Sequence, residues 1–324
     1  MLKRVKLISL TANHKLTKQI SQRLGVPVLD TKVAHFADGE ILFECNETFR
    51  GDDVYVVQST CNPVTERLME LLICIDALKR ASAKSVNVVI PYYGFARQER
   101  KAKPRQPITA KLVANLLTTA GADRVICMDL HAAAIQGFFD IPVDDISAIN
   151  IFSDYFERKH LPNLACVSPD HGGVVRASRL ASKLNASLVI IDKRRTRPNV
   201  SEIVAIVGNV RGKNCIIVDD IADTCGTLCH AADKLKELGA KKVYAVITHA
   251  ILSGNAIQTI NHSGLDEMVI TDTIPLPPEK WCKKIKVLSV APLLADVIKS
   301  IALGKSLSFT LHDFASSVRQ GKKK

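Results

Sequence analysis

The chain has 324 residues, 47% of them apolar, and a formal net charge of +12 from 44 Lys and Arg against 32 Asp and Glu. That length predicts two domains, each able to bury a core, and no apolar run approaches the length of a membrane span. Lys3, Arg4 and Lys6 precede too short an apolar stretch for a secretory signal, and the nine cysteines follow no framework, so reduced thiols in a cytoplasmic protein are expected. Cys225, Cys229 and His230 lack a second ligand pair at zinc spacing, which favours packing over metal. Basic residues bunch at Arg97, Arg100, Lys101, Lys103, Arg105 and Lys111, at Lys193, Arg194, Arg195 and Arg197, and at Lys322 to Lys324. Aromatic residues do not interleave these clusters and no nucleic-acid module signature accompanies them. Small anionic substrates fit better than nucleic acid.

Taken in order, the elements alternate strand and helix. Residues 5–10 read as a strand and 14–24 as a helix stopped by Gly25; 31–36 and 41–44 flank Asp38-Gly39, a strong hairpin signal. Residues 54–58 read as a strand, 64–79 as a helix and 86–90 as a strand. A charged segment, 97–111, follows, and a strand then ends at Met128-Asp-Leu-His131. A boundary is expected near Ser147. Beyond it, 165–168 leads into Pro169-Asp170-His-Gly-Gly173 and a helix to Leu184, and 188–191 leads into Asp192-Lys-Arg-Arg-Thr-Arg-Pro198. Such alternation predicts a parallel α/β architecture.

The pattern occurs twice. Arg50-Gly51 opens a strand–helix–strand unit ending Leu78-Lys-Arg-Ala-Ser-Ala-Lys-Ser-Val-Asn-Val-Val-Ile90, and Arg211-Gly212 opens another ending Leu235-Lys-Glu-Leu-Gly-Ala-Lys-Lys-Val-Tyr-Ala-Val-Ile247. Gly121-Ala-Asp and its strand are echoed by Gly264-Leu-Asp and the strand before Asp272. A duplicated domain is the simplest account. Aligning Arg211 with Arg50 sets Gln58 and Ser59 against Asp219 and Asp220, so the copies differ at one point above all.

At that point the second copy reads Asn214-Cys-Ile-Ile-Val-Asp-Asp-Ile-Ala-Asp-Thr-Cys-Gly-Thr227. Residues 215–218 read as a buried strand and a helix is expected from Leu228 to a stop at Gly239, with Asp219, Asp220, Asp223, Thr224, Gly226 and Thr227 between them. A helix N-terminus offers unpaired N–H groups to a phosphate, Gly226 permits close approach, and the threonines add donors. Asp219 and Asp220 would repel a bare anion but could grip hydroxyls or a cation beside it. A sugar phosphate has both parts. Capping alone needs one such residue, and here there are five.

This stretch resembles the loop that binds 5-phosphoribosyl 1-diphosphate (PRPP) in type I phosphoribosyltransferases, two acids followed by Asp-Thr-x-Gly-Thr. Over nearly its whole length the chain is similar to one branch of that fold, the class I ribose-phosphate diphosphokinases. The resemblance implies two tandem phosphoribosyltransferase-like domains, 1–147 and 148–303, each a mainly parallel sheet flanked by helices, with the tail 304–324 returning to the first. It implies transfer of the diphosphoryl group of Mg-ATP to O1 of ribose 5-phosphate, giving PRPP and AMP for nucleotide biosynthesis. No Walker A loop competes: Lys299 stands where the first glycine before Gly304-Lys305-Ser306 is required.

The site residues follow from the same resemblance. Lys193 matches the catalytic lysine and Arg195 the arginine that binds the substrate phosphate region. Asp219, Asp220, Asp223, Thr224, Cys225, Gly226 and Thr227, with Arg195, match the ribose 5-phosphate site. Phe36, Asp38, Gly39 and Glu40 match the segment that meets adenine from a neighbouring subunit. Arg97 and Gln98 match ATP-binding residues at the root of a flexible loop. His131 and Asp170 match magnesium ligands, although that ion prefers oxygen to imidazole. Arg50, Arg105, Ser306 and Ser308 match a phosphate and ADP regulatory site of a hexamer built from dimers. Two other readings stand beside this one: a non-catalytic regulatory homologue, and a transferase that consumes PRPP. The first is expected to lose Lys193, His131 or the loop acids, and the second to need only one such domain.

Overall fold

A computed structural model gives the structure of residues 2–197 and 200–311, with side chains described for all of these except 193–204. Lys322 to Lys324, and Pro198 of the basic segment, lie outside the described residues. The chain forms two compact units. The first comprises the stretch to Ser147 with Thr273–Pro275 and the segment from Ser289; the second comprises Ala148–Asp272 and Leu276–Leu288.

The first unit contains β1 (Val5–Ser9), β2 (Thr31–His35), β3 (Ile41–Cys45), β4 (Asp53–Val57), β5 (Ser85–Ile90), β6 (Arg124–Met128) and β7 (Val143–Ile146). Five of these lie parallel in the order β1-β4-β5-β6-β7, while β2 and β3 pair antiparallel as a separate hairpin. The second unit contains β8 (Leu164–Ser168), β9 (Ser187–Arg197), β10 (Val200–Val207), β11 (Asn214–Ala222), β12 (Lys242–Ala250), β13 (Glu267–Thr271) and β14 (Ile285–Leu288). Its sheet runs β10-β9-β8-β11-β12-β13-β14. The block β8-β11-β12-β13-β14 repeats the order of the first sheet, and β9 and β10 take the place of the β2–β3 hairpin. The duplication read from residue matches is thus present in the topology.

Helices α1 (His14–Leu24), α2 (Val64–Arg80) and α3 (Thr109–Ala120) connect strands of the first unit; α4 (Ile149–Lys159), α5 (Val174–Leu184), α6 (Gly226–Glu237) and α7 (Ala256–His262) belong to the second, and α8 (Ala291–Ala302) follows β14. Central strands are buried on both faces: Val86, Val88, Val89 and Ile90 of β5, and Cys215, Ile216 and Ile217 of β11, are fully enclosed. Each such aliphatic side chain stabilises its unit by roughly 1.5–3 kcal/mol. All nine cysteines are free, and eight of them are buried.

One expected boundary is corrected. The second unit does not extend to residue 303, because the chain from Ser289 belongs to the first unit. Helix α8 packs on α1, with Arg23 Nε and Nη2 donating to Asp296 at 3.1 and 2.9 Å and Ser289 Oγ donating to Gln19 Oε1 at 2.8 Å. Its apolar face, Leu293, Leu294, Val297 and Ile298, is fully buried there. Helix α4 covers α5 in the same way in the second unit.

Candidate active site

In the second sheet β8 is the short strand between two long ones. Its last pair with β11 is Val167 against Ile217, and its last pair with β9 is Ser168 against Ile190. Both neighbours continue past it. β11 runs on beside β12, Asp219 opposite Ile247 and Ala222 opposite Ala250, and β9 runs on to Arg197 beside β10. This leaves a notch at the carboxyl end of β8, the edge at which open α/β sheets bind ligands. Two expectations are thereby corrected. Asp219 and Asp220 belong to β11 rather than to the loop after it, and Lys193 to Arg195 belong to β9 rather than to a turn. The apolar run ends at Val218 and Ile191, but the backbone ladder with the outer neighbour does not.

The floor of the notch is the turn after β8. Ser168 Oγ donates to the Asp170 carbonyl at 2.6 Å, and Asp170 Oδ1 accepts the Gly173 N–H at 2.9 Å. A side chain at Gly173 would crowd Ser168 Oγ at 2.9 Å and push it from its bond to the Asp170 carbonyl. Asp170 itself is exposed. From the first turn of α5, Arg176 Nη1 reaches Asp220 Oδ1 at 3.2 Å and Asp219 Oδ1 at 3.6 Å. Asp219 Oδ1 also accepts the Asp220 N–H at 2.9 Å, and Asp220 is buried to 3% exposure. Burial raises the Asp219 carboxyl far above the usual range, the Asp220 charge adds to this, and Arg176 opposes it.

Arg176 was not among the residues read from the sequence. A signal existed: a cation in the first turn of a helix opposes the dipole and calls for a compensating partner.

Beyond β11, Asp223 and Thr224 lead to Cys225, whose left-handed backbone (φ 63°) turns the chain into α6, two residues earlier than the apolar pattern suggested. No side chain caps α6, so its first N–H groups are not used by a cap. The loop is braced from behind: the Ile251 and Leu252 N–H groups donate to the Ala222 carbonyl at 2.8 and 3.1 Å, and Ser253 N–H to the Asp223 carbonyl at 2.9 Å. Beyond its chain neighbours and the backbone of its own helix, nothing lies within 4 Å of where a side chain at Gly226 would begin. Thr224 and Thr227 are exposed. The arrangement is two acids, an open helix N-terminus and hydroxyl donors along one edge, a cradle for a phosphorylated polyol.

The first unit closes the equivalent place with its own side chains. Ser59 N–H donates to Asn13 Oδ1 at 2.6 Å, Ser59 Oγ to the Thr273 carbonyl at 2.5 Å, and Gly94 N–H to Thr60 Oγ1 at 2.6 Å. Gln58, standing where Asp219 stands in the other copy, donates to the buried Glu70 at 2.6 Å and accepts from Ala12 N–H at 3.0 Å. Only the second copy keeps an open cradle.

The remaining predicted residues are placed as follows. Phe36, Asp38, Gly39 and Glu40 form the exposed tip of the β2–β3 hairpin, where Glu40 N–H donates to Asp38 Oδ1 at 3.1 Å and Phe36 is 53% exposed. Arg97 is exposed; Gln98 Oε1 accepts from Thr109 Oγ1 at 2.6 Å, tying the root of the charged loop to α3. Lys111, at the end of the same basic cluster, donates from its ammonium to the Phe138 carbonyl at 2.6 Å. His131 is exposed just past β6. Arg50 donates to Ser82 Oγ at 3.1 Å; Arg105, Ser306 and Ser308 are exposed, and all belong to the first unit. Among the described residues no group of three or more His, Cys, Asp or Glu gathers as a ready-made cation site. The Lys193 and Arg195 side chains lie outside the described residues.

A doubled parallel α/β scaffold with an acid pair and an open helix N-terminus on one sheet edge defines the class, an α/β protein of the phosphoribosyl type. Residues 5–121 match the family described as the N-terminal domain of ribose phosphate pyrophosphokinase, and residues 167–312 the phosphoribosyl synthetase-associated domain. The chain is 54% identical over 306 residues to ribose-phosphate pyrophosphokinase 1 of Listeria monocytogenes, covering 94% of this chain and 96% of that one. It is 56% identical over 304 residues to the ribose-phosphate pyrophosphokinase of Bacillus caldolyticus, with the same coverage of both chains. The crystal structure of phosphoribosylpyrophosphate synthetase from Mycobacterium smegmatis superposes with a TM-score of 0.87 at 41% identity, over 92% of this chain and 99% of that one. The chain belongs to the ribose-phosphate pyrophosphokinase family.

Proposed function

We propose that this chain transfers the diphosphoryl group of ATP to O1 of ribose 5-phosphate, forming PRPP and AMP for nucleotide biosynthesis. The observation that carries the reading is the cradle: an acid pair in β11 followed by an uncapped helix N-terminus with open space before Gly226. The 5-phosphate binds the amides and hydroxyls of residues 223–227, where N–H groups and the helix dipole meet it. Asp219 and Asp220, oriented by Arg176, hold the ribose hydroxyls. That places O1 for in-line attack on the β-phosphorus, with AMP leaving from the far side. Lys193 and Arg195, carried by β9 on the other wall of the notch, stabilise charge on the transferring group.

In the first unit Arg97, Gln98 and His131 bind ATP, and Phe36, Asp38, Gly39 and Glu40 meet adenine from a second copy. Asp170 suits magnesium: one oxygen is engaged by Gly173 N–H, and a single carboxylate with phosphates and water satisfies that ion. Asp170 and His131 are its proposed ligands, and magnesium when bound neutralises phosphate charge and orients the chain of phosphates. Ribose 5-phosphate, ATP and magnesium mixed with the protein should yield AMP. ADP instead would indicate an ordinary kinase, and no turnover the regulatory homologue. Neither that homologue nor a PRPP-consuming transferase is favoured, given the identity to named pyrophosphokinases over nearly the whole chain.

Gly226→Ala isolates the phosphate contact. An added methyl meets nothing within 4 Å beyond its chain neighbours and its own helix, so the melting temperature should hold. The N–H remains, but the methyl stands where the phosphate must approach, so the KM for ribose 5-phosphate should rise at least about tenfold, on the scale of one hydrogen bond to a charged group. An unchanged KM would remove the phosphate from that amide.

We further propose a cytoplasmic hexamer built from dimers, regulated by phosphate and ADP through Arg50, Arg105, Ser306 and Ser308. A light-scattering mass tests the assembly. Arg105→Ala should weaken ADP inhibition at least about fivefold, since a guanidinium–phosphate pair is lost, and unaltered inhibition would dismiss that residue. Among the described residues, no helix is long and apolar enough to cross a membrane.

A further inference from the structure

His171 lies in the turn that floors the notch, and its Nε2 is 2.9 Å from Asp192 Oδ1. The place of this contact gives it meaning. At Ile190 strand β9 loses β8 as a neighbour, and from there it is held by β10 alone. The pairing with β10 is itself irregular at that point, stepping from Ala205 against Asp192 to Ile203 against Lys193. So where β9 leaves the body of the sheet, one backbone ladder has ended and the other is bulged. The turn, by contrast, is braced internally by Ser168, the Asp170 carboxylate and the Gly173 amide. The His171–Asp192 bond ties the free strand to that rigid post, one residue before Lys193.

We propose that His171 is a positioning residue for the diphosphoryl transfer, setting the direction in which β9 carries Lys193 and Arg195 over the notch. This rests on the catalytic assignment of that arm made above. The two side chains are 72% and 43% exposed, and an exposed pair adds at most about 1 kcal/mol to stability. Its loss is therefore a local displacement of the arm rather than unfolding. Arg176 does the corresponding work on the opposite wall, from α5 to Asp219 and Asp220. The turn and helix after β8 thus reach both walls, one through each cation-capable side chain.

The test is a double-mutant cycle followed by AMP release. His171→Ala should lower kcat about tenfold, on the scale of a sub-ångström misplacement, with the KM for ribose 5-phosphate within twofold and the thermal midpoint unchanged. His171→Gln, whose amide can still donate to Asp192, should recover most of that loss. In a Lys193→Ala background, His171→Ala should change kcat less than twofold. Full activity in His171→Ala overturns the proposal, as does a tenfold loss that persists undiminished in the Lys193→Ala background, or a Gln variant no better than Ala. If Lys193→Ala alone turns over normally, the catalytic assignment fails first and this inference falls with it; if Lys193→Ala is impaired and His171→Ala is not, the inference alone falls.

Discussion

Lys193→Ala should lower kcat about a hundredfold to a thousandfold, the usual cost of removing one fixed donor from developing negative charge. A diphosphoryl group in transfer spreads charge over its non-bridging oxygens, and it must do so away from water to gain from a nearby ammonium. Strand β9 carries the Lys193 backbone past the end of β8, on the wall facing β11 across the notch. The KM for ribose 5-phosphate should change little, because the proposed 5-phosphate site is at the start of α6, away from β9. Steady-state AMP formation with both substrates varied separates the two effects. A kcat within threefold of the parent would remove Lys193 from the chemistry.

Arg176→Met should act on both activity and stability. It removes the cation from Asp219 and Asp220, the second of which is buried to 3%. Breaking a buried pair from one side costs about 3–5 kcal/mol, and the lower end is expected because Asp219 can take up a proton instead. The pH dependence has a definite sign. Asp219 in the folded protein has a carboxyl raised above its unfolded value, so the stability that its proton confers is present in acid and lost as pH rises through the folded value. Without Arg176 that value rises further. The gap in urea stability between variant and parent should therefore be smaller near pH 5 than near pH 9, the part owed to Asp220 remaining at both. With the acids mispaired, the kcat/KM for ribose 5-phosphate should fall at least about a hundredfold, as for lost buried charge-assisted contacts. A gap that shrinks with rising pH, or an intact kcat/KM, would show that Arg176 does not orient the pair.

Turn chemistry and the loop leading into α6 were legible because they depend on local residues. Asp38-Gly39 marked the hairpin, Gly25 and Gly239 marked helix ends, and Asp223-Thr-Cys-Gly-Thr227 marked the cradle. The lengths of β9 and β11 were not legible. Both strands continue as polar sequence, held by a backbone ladder that leaves no apolar trace. Arg176 escaped for a related reason: its partners are 43 and 44 positions away in the chain, and nothing in the α5 pattern names them. Helix α8 was not read from the sequence, and its packing on α1 entered only with the fold. The sealing of the first copy was half visible, in Gln58 and Ser59 replacing acids, while Asn13 and Thr273 entered only with the fold.

Helix α8 gives synthesis on the ribosome a particular order. The first unit lacks its last layer until α8 has been made, so α1 cannot be fully covered until then. The later unit draws its residues from one nearly continuous span and has no such wait. A released chain truncated before residue 289 should accordingly carry a finished second body and a first body that proteases still recognise.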